Sequence, residues 1–116
     1  MGLLSSDAYG HEVWDYFKKR AGYEVIERDD GLIDQSDVAP RFYFAPFRDW
    51  PSIERRAIKF AKGRVLDVGC GAGRVAIYLQ NHKKLDVVGI DISPLAIKVS
   101  KLRGLRKTRL LAFEDI

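Results

Sequence analysis

The sequence predicts an α/β fold built on a parallel sheet, and three observations carry that reading. Val65, Leu66 and Val68 form a short apolar run that stops at glycines, the pattern of a buried parallel strand entering a tight turn. Residues 74–83 then read as a helix, with Val75, Ala76, Ile77 and Leu79 at its apolar positions. Residues 85–90 are a second apolar run, and it ends on Asp91. Strand, glycine turn, helix and strand follow one another within thirty residues, with an acid at the tip of the second strand.

The other elements follow in chain order. Residues 7–20 read as a first helix. Ser6 serves as N-cap, Asp7 suits the first turn, and Lys18, Lys19 and Arg20 suit the C-terminal end of the dipole. Val13, Trp14 and Phe17 make its apolar stripe and Gly22 its stop, and His11 has no second ligand nearby for a metal. Residues 23–37 are acidic and read as a surface connection, with a short strand over 23–27 and a turn at Asp30-Gly31. Residues 42–50 hold five aromatics interleaved with arginine. This stretch reads as a lid or pocket wall, or equally as a proline-pinned loop filling a core gap, with base stacking as a third use. Residues 51–62 form a second helix, capped by Asp49, stopped by Gly63, and burying Ile53, Ala57, Phe60 and Ala61. Ser93-Pro94 opens a fourth helix with a cap and a first-turn proline. Leu95, Val99 and Leu102 are its buried stripe, Lys98, Lys101 and Arg103 face water, and Gly104 ends it. Residues 109–113 read as a third strand.

Composition narrows the class. At 116 residues, 47% hydrophobic and 31% charged, the chain suits one small domain with a core. No apolar run approaches the roughly 20 residues that span a bilayer, so no membrane partner is expected. The opening residues lack the basic end and apolar centre of a secretory signal, and the myristoylation-like Met-Gly with Ser6 reads as a chance match. A single cysteine makes no internal disulfide, which points to a reducing, cytoplasmic setting. The net charge of +4 is uneven. Residues 1–58 hold 8 basic and 11 acidic side chains, a net of −3, whereas residues 59–116 hold 12 and 5, a net of +7. A basic half could meet nucleic-acid phosphates, but a solvated helix face is the favoured reading.

The glycine turn decides which ligand is plausible. Gly69, Gly71 and Gly73 alternate between strand and helix, where free N–H groups and a positive dipole end collect. Asp91, at the tip of the second strand, can accept hydrogen bonds from both hydroxyls of a ribose. A dinucleotide fits poorly. In the G-x-G-x-x-G pattern the last small residue would be Arg74, too bulky to seat helix on strand, and Asp67 would stand beside a pyrophosphate. A carboxylate there suits a cation, so the ligand read from the residues is a nucleoside with a positive charge and no phosphate.

Val65-Leu66-Asp67-Val68-Gly69-Cys70-Gly71-Ala72-Gly73, followed by Val87-Val88-Gly89-Ile90-Asp91-Ile92-Ser93-Pro94, resembles the two leading motifs of the class I S-adenosylmethionine-dependent methyltransferases. The resemblance implies a Rossmann-like three-layer sandwich with S-adenosylmethionine as cofactor. It puts Asp67 near the methionine amino group and the backbone of Gly69, Cys70, Gly71 and Gly73 along the methionine side. It puts Asp91 on the ribose and Ile92 against the adenine, and it offers Glu114 or Asp115 to the adenine amino group. Cys70 reads as a small residue of the cofactor wall, since no histidine is paired with it for nucleophilic work.

The resemblance covers residues 64–116 and only about half of the family's domain. It implies strands in the order 3-2-1, with residues 1–62 as a helical and aromatic extension and 63–116 as the cofactor-binding half. Strand four is missing, so Val65–Val68 keeps an unpaired apolar edge, and a homodimer covering it is expected. The acceptor is undetermined, and no residue stands out as a general base; His82 reads as a helix-dipole partner. Two rival functions remain: a non-catalytic, truncated Rossmann-like assembly module, and a dinucleotide-dependent oxidoreductase that Arg74 disfavours.

Overall fold

Five β-strands and four α-helices are laid out along the residues that the structure, a computed structural model, describes: 7–19, 26–27, 33–34 and 41–116. In order they are α1 (Ala8–Lys19), β1 (Ile26–Glu27), β2 (Ile33–Asp34), α2 (Ser52–Ala57), β3 (Arg64–Val68), α3 (Arg74–Asn81), β4 (Asp86–Asp91), α4 (Pro94–Leu102) and β5 (Thr108–Leu110). Single 3-10 turns stand at Phe47–Asp49, Ile58–Phe60 and Phe113–Asp115. β1 and β2 pair antiparallel. The expectations on Ser6, Arg20, Gly22, residues 23–25 and the Asp30-Gly31 turn lie outside the described residues.

The main sheet has the order β3-β4-β5 and all its strands are parallel, which is the expected 3-2-1 half of a Rossmann-like sheet. β3 pairs with β4 from Arg64↔Asp86 to Val68↔Ile90. Its other edge has no strand partner among the described residues. Side chains alternate along β3: Val65 and Asp67 are half-buried, whereas Leu66 and Val68 are each 46% exposed. The core lies on the Val65 side, where Ala76 and Leu79 of α3 and Ile97 of α4 meet Val87, Cys70 and Leu105. Both helices after the glycine turn therefore meet the same strand side chains. A second cluster joins Val13 of α1 to Val99 of α4 and to Ala72, with Trp14, Phe17, Tyr43 and Phe44 around it.

Several expectations are corrected. Asp7, expected in the first turn, is the N-cap of α1: its Oδ1 accepts the Gly10 N–H at 2.8 Å and its carbonyl accepts the His11 N–H. No side chain caps α2, so Asp49 does not; it sits in the preceding 3-10 turn. The buried face of that second helix is also different. Ile53 and Phe60 are 69% and 82% exposed and Ala57 is exposed too, whereas Ala61 packs on the core as expected, joined by Ile58. At Ile58 the α-turn tightens into a 3-10 turn, which rotates the side chains that follow, Phe60 among them. The Lys83 ammonium closes this segment by donating to the carbonyls of Ile58, Lys59 and Ala61 at 3.0–3.3 Å.

α4 begins as expected, with Ser93 Oγ accepting the Ala96 N–H at 3.0 Å. It ends at Gly104 in a Schellman pair, Gly104 N–H to Lys101 and Leu105 N–H to Ser100. Its buried residues are Ala96, Ile97, Val99 and Ser100; Leu102 is exposed. Arg103, expected in water, donates to the Ala72 carbonyl at 2.8 Å and lies over the Phe44 ring. β5 is Thr108–Leu110 rather than 109–113, because the chain turns off into the Phe113–Asp115 3-10 turn.

Candidate cofactor site

Two parallel strands deliver their C-terminal ends to one place, and the glycine turn crosses between them. Gly69 and Cys70 both donate their N–H to the Ile90 carbonyl, at 2.8 and 2.9 Å, so the turn is pinned to the tip of β4. Asp91, 9% exposed, serves the same junction. Its Oδ2 accepts the Gly71 N–H at 2.8 Å and its Oδ1 accepts the Ser93 N–H at 2.9 Å. Gly73 has φ +90°, and a Cβ there would stand 2.9 Å from Ile77 and 3.2 Å from Ser100, so it seats α3 against α4. The seating role that G-x-G-x-x-G gives to its last residue thus falls one position earlier, and Arg74 is released to do something else.

A cavity of about 300 Å³ opens on the turn. Tyr9, Phe42, Tyr43, Asp67, Gly69, Cys70, Gly71, Ala72, Arg74 and Val75 line it. Asp67, from β3, is its acid. Burial raises the Asp67 carboxyl to about 6, with the Asp91 charge adding to the rise, while Arg74 and the Ala76 N–H pull the other way. Burial likewise raises the Cys70 thiol to about 12, helped by Asp67 and Asp91, so it remains a protonated wall residue.

Arg74 builds the opposite wall. Its guanidinium lies 4.5 Å from the Phe42 ring centre and 4.9 Å from that of Trp50, with Glu54 at 2.8 Å as its ion pair. The aromatic stretch therefore does two of its three expected jobs. Phe42 and Tyr43 wall the cavity, while Trp50 is buried, donates to the Ala45 carbonyl at 2.9 Å and packs with Phe47 on Tyr78. His82 is the C-cap of α3, stacked on Tyr78.

The residue that sequence reasoning missed is Tyr9. Its hydroxyl stands where a Cβ on Gly71 would be, and burial beside Asp91 holds the phenol well above its usual value. Its helix is locked there by Asp7, whose Oδ2 accepts from Ser93 Oγ at 2.7 Å and from the Leu95 N–H at 3.3 Å. One carboxylate so caps two helices and ties α1 to the tip of β4. No local pattern marks Tyr9, because the contact joins residues more than sixty apart.

Of the expected site residues, Asp67, Gly69, Cys70 and Gly71 line the cavity, Gly73 seats its helix, and Asp91 lies behind the turn. Ile92 follows Asp91 and is 63% exposed. Glu114 and Asp115 lie exposed in the turn after β5 and take no part in these hydrogen bonds. No cluster of three or more potential metal ligands occurs among the described residues, and none of their helices is long and apolar enough to cross a membrane.

Comparison with known proteins agrees with this geometry. Residues 65–113 match the model of a family described as a methyltransferase domain. Over 41 residues, 34% of this chain and 12% of the relative, the sequence is 51% identical to the ribosomal RNA small subunit methyltransferase C of Psychromonas ingrahamii. The fold matches that of a SAM-dependent methyltransferase from Bacteroides fragilis, solved in complex with S-adenosyl-L-homocysteine, with a TM-score of 0.72 and 29% identity. That match covers 93% of this chain and 44% of the solved one, so the chain spans less than half the length of its structural relative. Strand order, glycine turn and matched motifs concur: residues 65–113 are similar to a methyltransferase domain, on a partial Rossmann-like sheet.

Proposed function

We propose that the cavity on the glycine turn binds S-adenosylmethionine, and that the chain serves methyl transfer from it to an acceptor. The observation that carries this is the Asp67 carboxyl, raised to about 6 by burial at the edge of a cavity floored by a glycine backbone. A poorly hydrated carboxylate in such a place is relieved by a cation. When bound, the cofactor supplies a methyl group on a sulfonium, already a good leaving group. The chain then has to align rather than activate. Asp67 would meet the ammonium, and Gly69, Cys70, Gly71 and Gly73 would form the methionine wall. Asp91 retains lone pairs beyond its two backbone bonds for the ribose hydroxyls. Ile92 would lie on the adenine, with Glu114 or Asp115 near its amino group. No proton transfer is assigned to Tyr9 or Cys70, both of which are held protonated.

In this reading residues 63–116 are the cofactor-binding half, and residues 1–62 an extension that walls it. The single, buried cysteine suits a cytoplasmic setting. The outer edge of β3, which has no strand partner among the described residues, and half-exposed Leu66 and Val68 support a homodimer closed across that edge. A non-catalytic module sharing the fold would also associate, and would bind the nucleoside weakly or not at all.

Calorimetry of the 116-residue chain with S-adenosylmethionine, S-adenosylhomocysteine and NAD separates this reading from a dinucleotide one, and methyl transfer to a small-molecule panel separates it from the non-catalytic module. The first two should bind at one site per chain and NAD should not. Asp91→Ala should weaken binding by roughly 1–3 kcal/mol, the cost of charge-assisted hydrogen bonds. Absence of binding, or a wild-type affinity in that variant, would sink the assignment.

A further inference from the structure

The cations of the C-terminal half gather at one end of the sheet. Seven of them, with one acid, Asp86, occupy residues 59–64, 83–86 and 104–107, the segments that lead into β3, β4 and β5. Because these strands are parallel neighbours, the three segments meet at the end opposite the cradle. Side-chain bonds hold them together. Asp86 meets Arg64 at 3.4 Å and Lys107 at 2.6 Å, and the Lys83 ammonium reaches the carbonyls of Ile58, Lys59 and Ala61. Lys59, Lys62, Lys84 and Arg106 stay exposed and make no ion pair among the described residues. Phe60 stands in the same segment, between Lys59 and Lys62, with its ring 82% exposed. A ring so exposed adds little to the core and keeps its face free for a planar partner. We infer that this end of the sheet docks single-stranded nucleic acid, its cations on the phosphates and Phe60 against a base.

The chemistry of the surface selects that partner. Two strand spacings make the end of the sheet about 10 Å wide, and the unpaired cations turn it into a basic track for a polyanion. A ring flanked by lysines supplies the stacking face that single-strand sites combine with such a track. A duplex keeps its base faces stacked inside, so the ring favours an unpaired strand. Binding to a lipid surface draws instead on an amphipathic helix with a broad apolar face, whereas these cations stand on loops and strand starts. The five residues of β3 put roughly 15 Å between this surface and the glycine turn. It therefore holds a strand without touching the cradle, and it does not depend on the cofactor reading.

The test is fluorescence anisotropy of a short labelled single-stranded RNA of mixed sequence, titrated with the 116-residue chain at about 50 and 200 mM salt. The RNA should bind saturably, and more weakly at the higher salt. Lys62→Gln combined with Lys84→Gln should weaken binding about tenfold at low salt and flatten the salt dependence. Phe60→Ala should also weaken it about tenfold, yet keep the salt dependence of the unmodified chain. These side chains are exposed, so the fold should be retained, which circular dichroism checks. Lys98→Gln, exposed on α4 outside the patch, is the charge control and should change affinity by less than about twofold. Single-stranded DNA of the same sequence should bind within a few-fold of the RNA, and the RNA duplex more weakly than either. No saturable binding, unchanged affinity in Phe60→Ala or in the double-lysine variant, an equal loss in Lys98→Gln, or a preference for the duplex would overturn the surface. So would binding to phosphatidylserine-containing vesicles in place of the RNA.

Discussion

Asp67 and Asp91 are both acids near the C-terminal ends of neighbouring strands, two register positions apart, yet their surroundings differ. Asp91 accepts one backbone N–H on each oxygen, which holds the turn in shape and leaves each oxygen a lone pair. Asp67 faces the cavity, and its carboxyl is pushed from 3.8 to about 6, chiefly by burial. The sign of the pH dependence follows. The folded state binds the Asp67 proton more tightly than the unfolded chain, so this group costs stability as pH rises from about 4 through 6. Asp67→Asn should therefore raise stability by roughly 2–3 kcal/mol at pH 8 and change little at pH 4, as measured by urea unfolding. The ligand dependence runs the other way. A cationic cofactor needs the ionised carboxylate, so its affinity should fall as pH drops below about 6. In Asp67→Asn, affinity should be low and flat across that range. A wild-type pH profile in that variant would remove Asp67 from the site.

At the scale of elements, the cradle depends on side chains that bind one element to the next. Gln80 is buried in α3; it donates to the Gly104 carbonyl and accepts the Arg106 N–H, both at 2.9 Å, so it fastens α3 to the loop that feeds β5. Gln80→Ala should destabilise the fold by about 2 kcal/mol, the cost of orphaning buried backbone groups, with a parallel loss of cooperativity at the β5 end in hydrogen exchange. The strands and helices from Arg64 to Leu102 were legible in the sequence because their signals are local: an apolar run, glycines at a turn, a serine cap before proline. Helix faces were less legible. Phe60 faces out because the pitch changes at Ile58, and Arg103 leaves water because it meets Ala72 and Phe44, which lie far away in sequence. The ends of strands followed the same rule, β5 starting one residue earlier and ending three sooner than its apolar pattern suggested. Asp67 and the glycines could be read from spacing, whereas Tyr9 entered the site only through the packing of α1 on α4.

At the scale of the whole molecule, the sheet is open. β3 carries its glycine turn at the C-terminal end, and its outer edge has no strand beside it among the described residues. Leu66 and Val68 are half-exposed on the face away from α3 and α4. Such an edge is a template for pairing, which the uneven charge of the two chain halves would help to orient. Sedimentation velocity at micromolar concentration should show a dimer, and Val68→Lys, which places a charge on that strand, should shift it toward monomer. A monodisperse monomer for the unmodified chain would remove the dimer and leave the cradle untouched.

The central claim is that the turn from Gly69 to Gly73 and the tip of β4 form one cradle for an adenosyl cofactor. Titrating the ¹⁵N-labelled 116-residue chain with S-adenosylhomocysteine tests it residue by residue. The account predicts saturable shifts concentrated at the amides of Gly69, Gly71, Gly73, Ile92 and Tyr9, with those of α2 and Lys107 unmoved. Saturation with the largest shifts elsewhere, or no shifts at all, would contradict it.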